Sequence, residues 1–378
     1  MKKRSLRIAG VSDVAVGYGS PQIPAFLRSL MEHYSVESGY LFEPDQPERP
    51  PRHGLFPHLR IARVETRAEA YSGPGWIEYN ARVARELERL APDVLVLFSP
   101  PTLPALWGLR RKPALTIYYV LESTGPYTGH ASPFGRLLGD MHRHAAPKLD
   151  LLVFPEENRA AIDVSTAGMQ GVPLAVVYNA VKPALPAADP LPPAQRIPRL
   201  LYSGLIERGA TLAEYFVDRD IRPFPVDLCG PIGGAGAAKL RAELESGQGG
   251  IRYRGLVDSA ELRAMRPRYA YSIVMWAPTI GNQRYACPNK FFEAVADGVP
   301  PIVAPHPQCK MLVERYGCGL VMDDWSLPAF AAALREAMDL SPTAAYARMV
   351  ADCRRAVAAE LNWDAQFAKV RRLLPQAA

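Results

Sequence analysis

The densest run of residues able to do chemistry is Pro288-Asn-Lys-Phe-Phe-Glu293-Ala-Val-Ala-Asp-Gly298, followed at once by Val299-Pro-Pro-Ile-Val-Ala304. Proline at one end and glycine at the other bracket a helix, and the apolar run behind it reads as a buried strand. Lys290 and Glu293 are three apart, so they share one side of the first turn. A lysine in that place opposes the helix dipole unless an anion sits there too. Phosphate held by the helix terminus and by Lys290 removes the conflict, and Glu293 is then able to accept from a ribose diol. The plainer alternative is a solvated Lys-Glu pair on a surface helix.

A second run, Tyr202-Ser-Gly204-Leu-Ile-Glu-Arg208-Gly209-Ala-Thr211, leads from a strand through a glycine-flanked loop into a helix. Gly204 and Gly209 allow backbone amides to approach a phosphate, and Arg208 offers two donors to it. Thr211 as a simple N-cap and Arg208 as a solvated charge are the alternatives. In the N-terminal half, Asp13-Val-Ala-Val-Gly17-Tyr-Gly19 follows the first apolar strand. Gly17 and Gly19 lack the third glycine of a dinucleotide fingerprint, which leaves a loop of close approach to some ligand or an ordinary turn. Glu122, just past the strand Ala114–Val120, is placed to act as general base or to bind an acceptor hydroxyl, or simply to be solvated. His142 and His144 flank Arg143, a spacing that aims two rings to different sides of a helix, so both read as surface residues and not as a metal pair. The five cysteines form no Cys-x-x-Cys pair and read as buried free thiols in a reducing compartment, without zinc.

The elements that must carry these residues alternate between apolar strand and amphipathic helix. Leu6–Val11, Ser38–Phe42, Pro92–Phe98, Ala114–Val120, Leu149–Phe154 and Leu174–Tyr178 read as strands, with helices over Pro24–His33 and Ile77–Leu90. Six prolines crowd Lys182–Pro198, a stretch suited only to a linker. Beyond it the alternation restarts with strands at Arg199–Ser203, Val226–Cys229, Ile251–Arg254, Tyr271–Met275 and Pro301–Ala304. Helices are expected at Thr211–Asp218, Ala237–Glu245, Ser259–Met265 and Asn289–Asp297. The pattern implies an α/β protein of two doubly wound domains with a cleft between them, ligands binding at the carboxyl ends of the strands.

The 378 residues suit two domains, and 48% hydrophobic against 22% charged residues exclude a mainly disordered chain. Net charge is +6, spread along the chain. That suits an anionic small molecule or an acidic membrane surface and is too diffuse to argue for nucleic acid. The Lys2-Lys3-Arg4 start precedes an apolar segment too short for a signal peptide, and no apolar run is long enough to cross a bilayer.

In these motifs the chain resembles glycosyltransferases of the two-Rossmann-domain (GT-B) architecture, and its C-terminal half is similar to the glycosyltransferase group 1 family. The likeness is carried by Asn179 in Val-Val-Tyr-Asn179, Leu200-Leu-Tyr-Ser-Gly204, Arg208-Gly209, Leu228-Cys-Gly230, Tyr253-Arg-Gly-Leu256, Pro288–Ala304 and Leu361-Asn-Trp363-Asp-Ala-Gln-Phe. It covers residues 150–378 by motif and 1–150 by layout. It implies an N-terminal Rossmann-like acceptor domain over 1–182, joined by a closing helix at 360–378 that crosses back. A linker over 183–198 and a donor domain over 199–359 complete the layout. Two departures stand out. The first of the family's paired glutamates falls at Tyr285, and the arginine expected after Gly204 is Leu205. These losses open an inverting route with Glu122 or Asp13 as base.

The resemblance implies transfer of a sugar from a nucleotide diphosphate to an acceptor hydroxyl, in polysaccharide, lipid-linked glycan or glycoconjugate synthesis. Arg208 and Lys290 would neutralise the leaving diphosphate, Glu293 would hold the ribose, and Asn289 would touch diphosphate or sugar. The Gly17–Gly19 loop would close over the donor, with the acceptor near Asp13 and Glu122. No metal and no cofactor beyond a UDP- or GDP-linked donor is required. The expected partners are the nucleotide sugar and a glycan, lipid-linked or small-molecule acceptor, with peripheral contact at the inner face of a membrane and a cytoplasmic location. The rival readings are a sugar-nucleotide epimerase or hydrolase on the same layout, and a non-catalytic binding descendant. A dinucleotide oxidoreductase ranks last.

Overall fold

The computed structural model describes residues 6–69, 71–123, 140–182, 191–247, 249–341 and 343–376. Residues 183–190 of the proline-rich stretch and residues 124–126 behind Glu122 lie outside them. The chain forms two units, Met1–Val177 with Phe367–Ala378, and Tyr178–Gln366.

The first unit is built on seven parallel strands: β1 (Ile8–Val11), β2 (Gly39–Pro44), β3 (Leu59–Val64), β4 (Val94–Phe98), β5 (Leu115–Tyr119), β6 (Leu151–Phe154) and β7 (Leu174–Val176). Their order is β3-β2-β1-β4-β5-β6-β7. The central strands β1, β4, β5 and β6 are buried at every position, which is why they are uninterrupted apolar runs. β3 was not expected from the sequence. It lies at the sheet edge with only Leu59 buried, so its polar residues Arg60 and Arg63 hide the apolar pattern of a strand. The helix Gly73–Leu90 is capped by Ser72, whose hydroxyl accepts from Gly75 N, and it buries Trp76, Tyr79, Val83 and Leu87 on one side. The C-terminal segment belongs to this unit: Phe367 packs edge-on against Phe26 at 5.7 Å, and the Tyr34 hydroxyl donates to the Pro375 carbonyl.

The second unit has six parallel strands: β8 (Ile197–Ser203), β9 (Val226–Cys229), β10 (Arg252–Tyr253), β11 (Tyr269–Val274), β12 (Pro301–Val303) and β13 (Leu320–Val321). The order is β10-β9-β8-β11-β12-β13. β8 starts two residues before the expected Arg199 and takes in Pro198, which had read as linker. The pairing of β8 with β11 shifts register between Tyr269 and Tyr271, so the proline, which has no amide to donate, sits at an irregularity of the ladder. Thr211–Asp218 is not an α-helix but a 3-10 turn over Ala213–Val217. Thr211 spends its hydroxyl on Glu207, accepting from that residue's amide and donating to its carbonyl, and Leu212 is left-handed at φ +55°. The helix Asn289–Ala296 forms as expected, closed by Gly298 at φ +67° with Val299 N donating to the Ala294 carbonyl.

Each sheet reverses its winding once, between β1 and β4 in the first unit and between β8 and β11 in the second. In doubly wound sheets the crevice above such a reversal is the ligand position. His142, expected at the surface, is instead buried and hydrogen-bonded to the Tyr118 hydroxyl at 2.8 Å, because its helix turns that ring onto β5.

Candidate functional site

In the second unit the reversal brings Gly204, which ends β8, against Lys290 in the first turn of the helix Asn289–Ala296. Gly204 has φ +126°, and a Cβ there would stand 3.1 Å from Lys290 Nζ. The ammonium is buried, has no hydrogen-bond partner among the described residues, and lies 4.2 Å from the centre of the Tyr202 ring. Burial pulls its pKa down to about 8, with the Glu293 carboxylate acting in the opposite direction. A buried ammonium facing only a ring has three donors and no acceptor, which is the electrostatic condition of an anion site.

Glu293 is fixed from the other side. Buried Arg266 donates to Glu293 Oε2 at 2.8 Å and to Asp297 Oδ2 at 2.7 Å. Asn289 occupies the first position of the same helix, behind Pro288. Three neighbouring strands are followed within two residues by glycines of positive φ: Gly204, Gly230 at +146° and Gly255 at +75°. A Cβ on Gly230 would lie 1.9 Å from the Gly204 carbonyl oxygen, so these two strand ends close up only because residue 230 is glycine. Beyond Gly255 there is open space.

Arg208 and Gly209 are arranged otherwise. The Arg208 guanidinium is ion-paired with Glu243 on the helix Ala237–Glu245, and the Gly209 amide donates to Glu214 Oε2 at 3.0 Å. The structure thus joins Gly204 to Lys290 directly and turns Arg208 onto a carboxylate.

In the first unit Asp13 follows β1 and Ser99 follows β4, the two strands of the reversal. Ser99 is buried with φ +66° and ψ 158°, a region that non-glycine residues occupy only under strain. Burial pushes the Asp13 carboxyl up to about 7. The Glu122 charge adds to the rise, while the loop amide and the Ser99 hydroxyl lower it. Glu122 itself is exposed, with Arg159 Nη1 3.4 Å from its Oε2; Arg159 is buried and also donates to the Leu121 carbonyl. Of the two carboxylates, the half-buried Asp13, raised by desolvation, is the better candidate for a base, and Glu122 faces solvent.

The loop from Ser12 to Gly19 is held by residues the sequence reading did not single out. Fully buried Glu43 accepts from Val16 N at 2.8 Å, from His53 Nε2 at 2.8 Å and from Arg63 Nε at 3.2 Å. Gln46 accepts from Ala15 N, and Arg52 Nη1 donates to the Gly17 carbonyl at 3.1 Å. Gly17 has φ +91° and packs on Arg52, whereas Gly19 faces open space. The amides of Ala15 and Val16 are therefore committed to protein acceptors. Among the described residues no cluster of three or more His, Cys, Asp or Glu is arranged to hold a metal ion.

No family model matches the chain, and no curated protein matches it. Solved structures do. A sucrose-phosphate synthase from Thermosynechococcus elongatus aligns with a TM-score of 0.74 at 16% identity, covering 97% of this chain and 98% of that one. Anabaena HepE in complex with UDP and glucose aligns at 0.71 with 12% identity, covering 97% and 98%. The apo form of the lipopolysaccharide outer core galactosyltransferase WaaB aligns at 0.65 with 12% identity, covering 97% and 99%. The chain has the GT-B fold. On this GT-B frame Tyr285, where the resemblance placed a carboxylate, directly follows the short helix Gly281–Arg284. Buried His306 fastens that segment: its Nδ1 bonds the Arg284 carbonyl at 3.2 Å and its Nε2 accepts from Trp276 N at 3.3 Å. Burial holds this ring neutral, its pKa lowered to about 4. Sequence spacing carries no trace of His306 or Glu43, since each acts on backbone atoms 22 to 30 or 27 residues away.

Proposed function

We propose that this protein transfers a sugar from a nucleotide diphosphate to an acceptor hydroxyl. The observation that carries the reading is the buried, partnerless Lys290 ammonium above Gly204. The diphosphate lies against Lys290 and the amides that open the helix Asn289–Ala296, with Asn289 beside it. The nucleoside runs over Gly204, Gly230 and Gly255, and Glu293, steadied by Arg266, accepts from the ribose hydroxyls. Arg208 joins the phosphates by exchanging Glu243 for them.

In the reaction the bond from the sugar's anomeric carbon to the β-phosphate oxygen breaks, and a bond to the acceptor oxygen forms. Asp13 takes the acceptor proton, and Lys290 stabilises the charge that develops on the leaving diphosphate. HepE, whose structure holds UDP and glucose, supports a UDP-linked donor. The synthase and transferase neighbours support a glycan or sugar acceptor. The groove of about 770 Å³ between β3 and the helix Gly73–Leu90 is lined by five arginines and by Glu65, Glu78 and Glu86, with Arg63, Arg82 and Arg89 ion-paired. Its modest positive excess is the support for peripheral contact with an anionic membrane. Among the described residues no helix is long and apolar enough to cross one.

The test is a thermal-shift screen against UDP, GDP, dTDP and ADP sugars, since a ligand at a hundred times its Kd stabilises by ~2.7 kcal/mol. One nucleotide series is expected to shift the melting temperature, and Lys290→Ala to abolish the shift. Full binding by that variant overturns the donor site. Release of free nucleotide without any acceptor would favour the hydrolase reading.

A further inference from the structure

The mouth of the Asp13 loop carries two features that the transfer reading does not use. The first is an aromatic wall. Tyr71 is 50% exposed and held at φ +66°, a strained conformation for a bulky residue. Its ring meets Trp76 edge-on at 5.5 Å, Trp76 meets Tyr79 at 5.5 Å, and the Tyr79 hydroxyl donates to the Ser12 carbonyl beside Asp13. The second is a pair of cations. The guanidinium of Arg52 lies 4.2 Å and that of Arg49 5.7 Å from the centre of the same Tyr18 ring, whose hydroxyl is tied to the Pro50 carbonyl. Arg52 donates to the Gly17 carbonyl and Arg49 to Gln46 Oε1, so each keeps further N–H donors. Among the described residues neither is bonded to a carboxylate.

The two features share one neighbourhood. The charges of Arg49, Asp13 and Glu48 all act on the Tyr71 hydroxyl, which burial holds up at about 12. Two guanidiniums gathered on one ring repel one another, and a planar donor fork fits phosphate or carboxylate oxygens in pairs. An exposed aromatic face beside them is a platform for the apolar side of a sugar ring.

We propose that the acceptor is an anionic sugar, bearing a phosphate or a carboxylate, with its ring against Tyr71 and its charged group between Arg49 and Arg52. This deepens the transfer reading and rests on it. Asp13 then stands beside the sugar's hydroxyls, which is where the base belongs.

The experiment titrates glucose, glucose 6-phosphate and glucuronate into the full chain saturated with UDP, by calorimetry. At least one charged sugar is expected to bind tenfold or more tighter than glucose, and its phosphate or carboxylate identifies the group read. Arg49→Ala with Arg52→Ala is expected to erase the advantage and leave UDP affinity within twofold. Arg49→Lys, which keeps the bond from Arg52 to Gly17, is expected to cut the advantage at least threefold. Tyr71→Ala weakens all three sugars alike. Charged sugars that bind no tighter than glucose, or not at all, overturn the proposal. So does an advantage that survives the double substitution, or one lost in Lys290→Ala and kept in the arginine variants. Failure of UDP to bind, with the arginine-dependent advantage intact, overturns the donor reading alone.

Discussion

Lys290 Nζ lies 4.2 Å from the centre of the Tyr202 ring and 3.1 Å from the point where a side chain on Gly204 would begin. Residues 88 apart in the chain thus make a cationic floor at the reversal of the second sheet, and among the described residues the cation has no acceptor. The desolvation that costs the free protein stability is the same one that would strengthen its hold on a phosphate.

Removal of that charge should stabilise the unliganded chain. The Lys290 pKa falls from 10.5 to about 8 on folding, so the unfolded chain binds more protons and stability rises with pH between those values. Lys290→Met is expected to gain on the order of 2 kcal/mol near pH 7, after a discount for solvent reach, and to flatten that rise. Urea unfolding at pH 7 and pH 10 measures both. A bound diphosphate favours the charged lysine, so donor binding near pH 8 should take up protons and weaken as pH rises. Calorimetry in buffers of different ionisation enthalpy reads the uptake.

Asp13 is expected to set the acid limb of the rate profile. As a base it must be deprotonated, so kcat/KM should rise with pH through about 7. Asp13→Asn should lower kcat by roughly 10²–10⁴-fold. Glu122→Gln removes a like charge and should move the limb to lower pH without abolishing activity. A limb that ignores Glu122→Gln would assign the base elsewhere.

His306 should make the second unit sensitive to acid. Its folded pKa of about 4 lies below the ordinary 6.5, so the fold favours the neutral ring. The stabilisation is full above 6.5 and is lost as pH falls toward 4. His306→Ala leaves Trp276 N and the Arg284 carbonyl without that partner, at a cost of about 1–3 kcal/mol at pH 7. Unfolding at pH 5 and pH 7 should show the difference between variant and parent shrinking in acid.

Much of this protein was legible in local pattern. The buried strands are continuous apolar runs because both faces of a parallel sheet are covered, and the helix Asn289–Ala296 is announced by Pro288 and Gly298. Gly204, Lys290 and Glu293 stand where strand ends and helix starts had to be, so their places in the fold follow from local pattern. β3 and the Pro198 irregularity escaped because an edge strand and a bulge break the rules that central strands obey.

Local pattern by itself determined which residues could meet a phosphate; tertiary packing decided which of them are free to do so. Arg208 and Lys290 look equivalent as charges, yet one is paired with Glu243 and the other is buried against Tyr202 with no acceptor among the described residues. Asp13 and Glu122 look equivalent as carboxylates, yet Asp13 is desolvated and raised to about 7 while Glu122 is exposed beside Arg159. Desolvation and pairing are properties of what the rest of the chain brings alongside, across tens of residues, and no short stretch of sequence contains them.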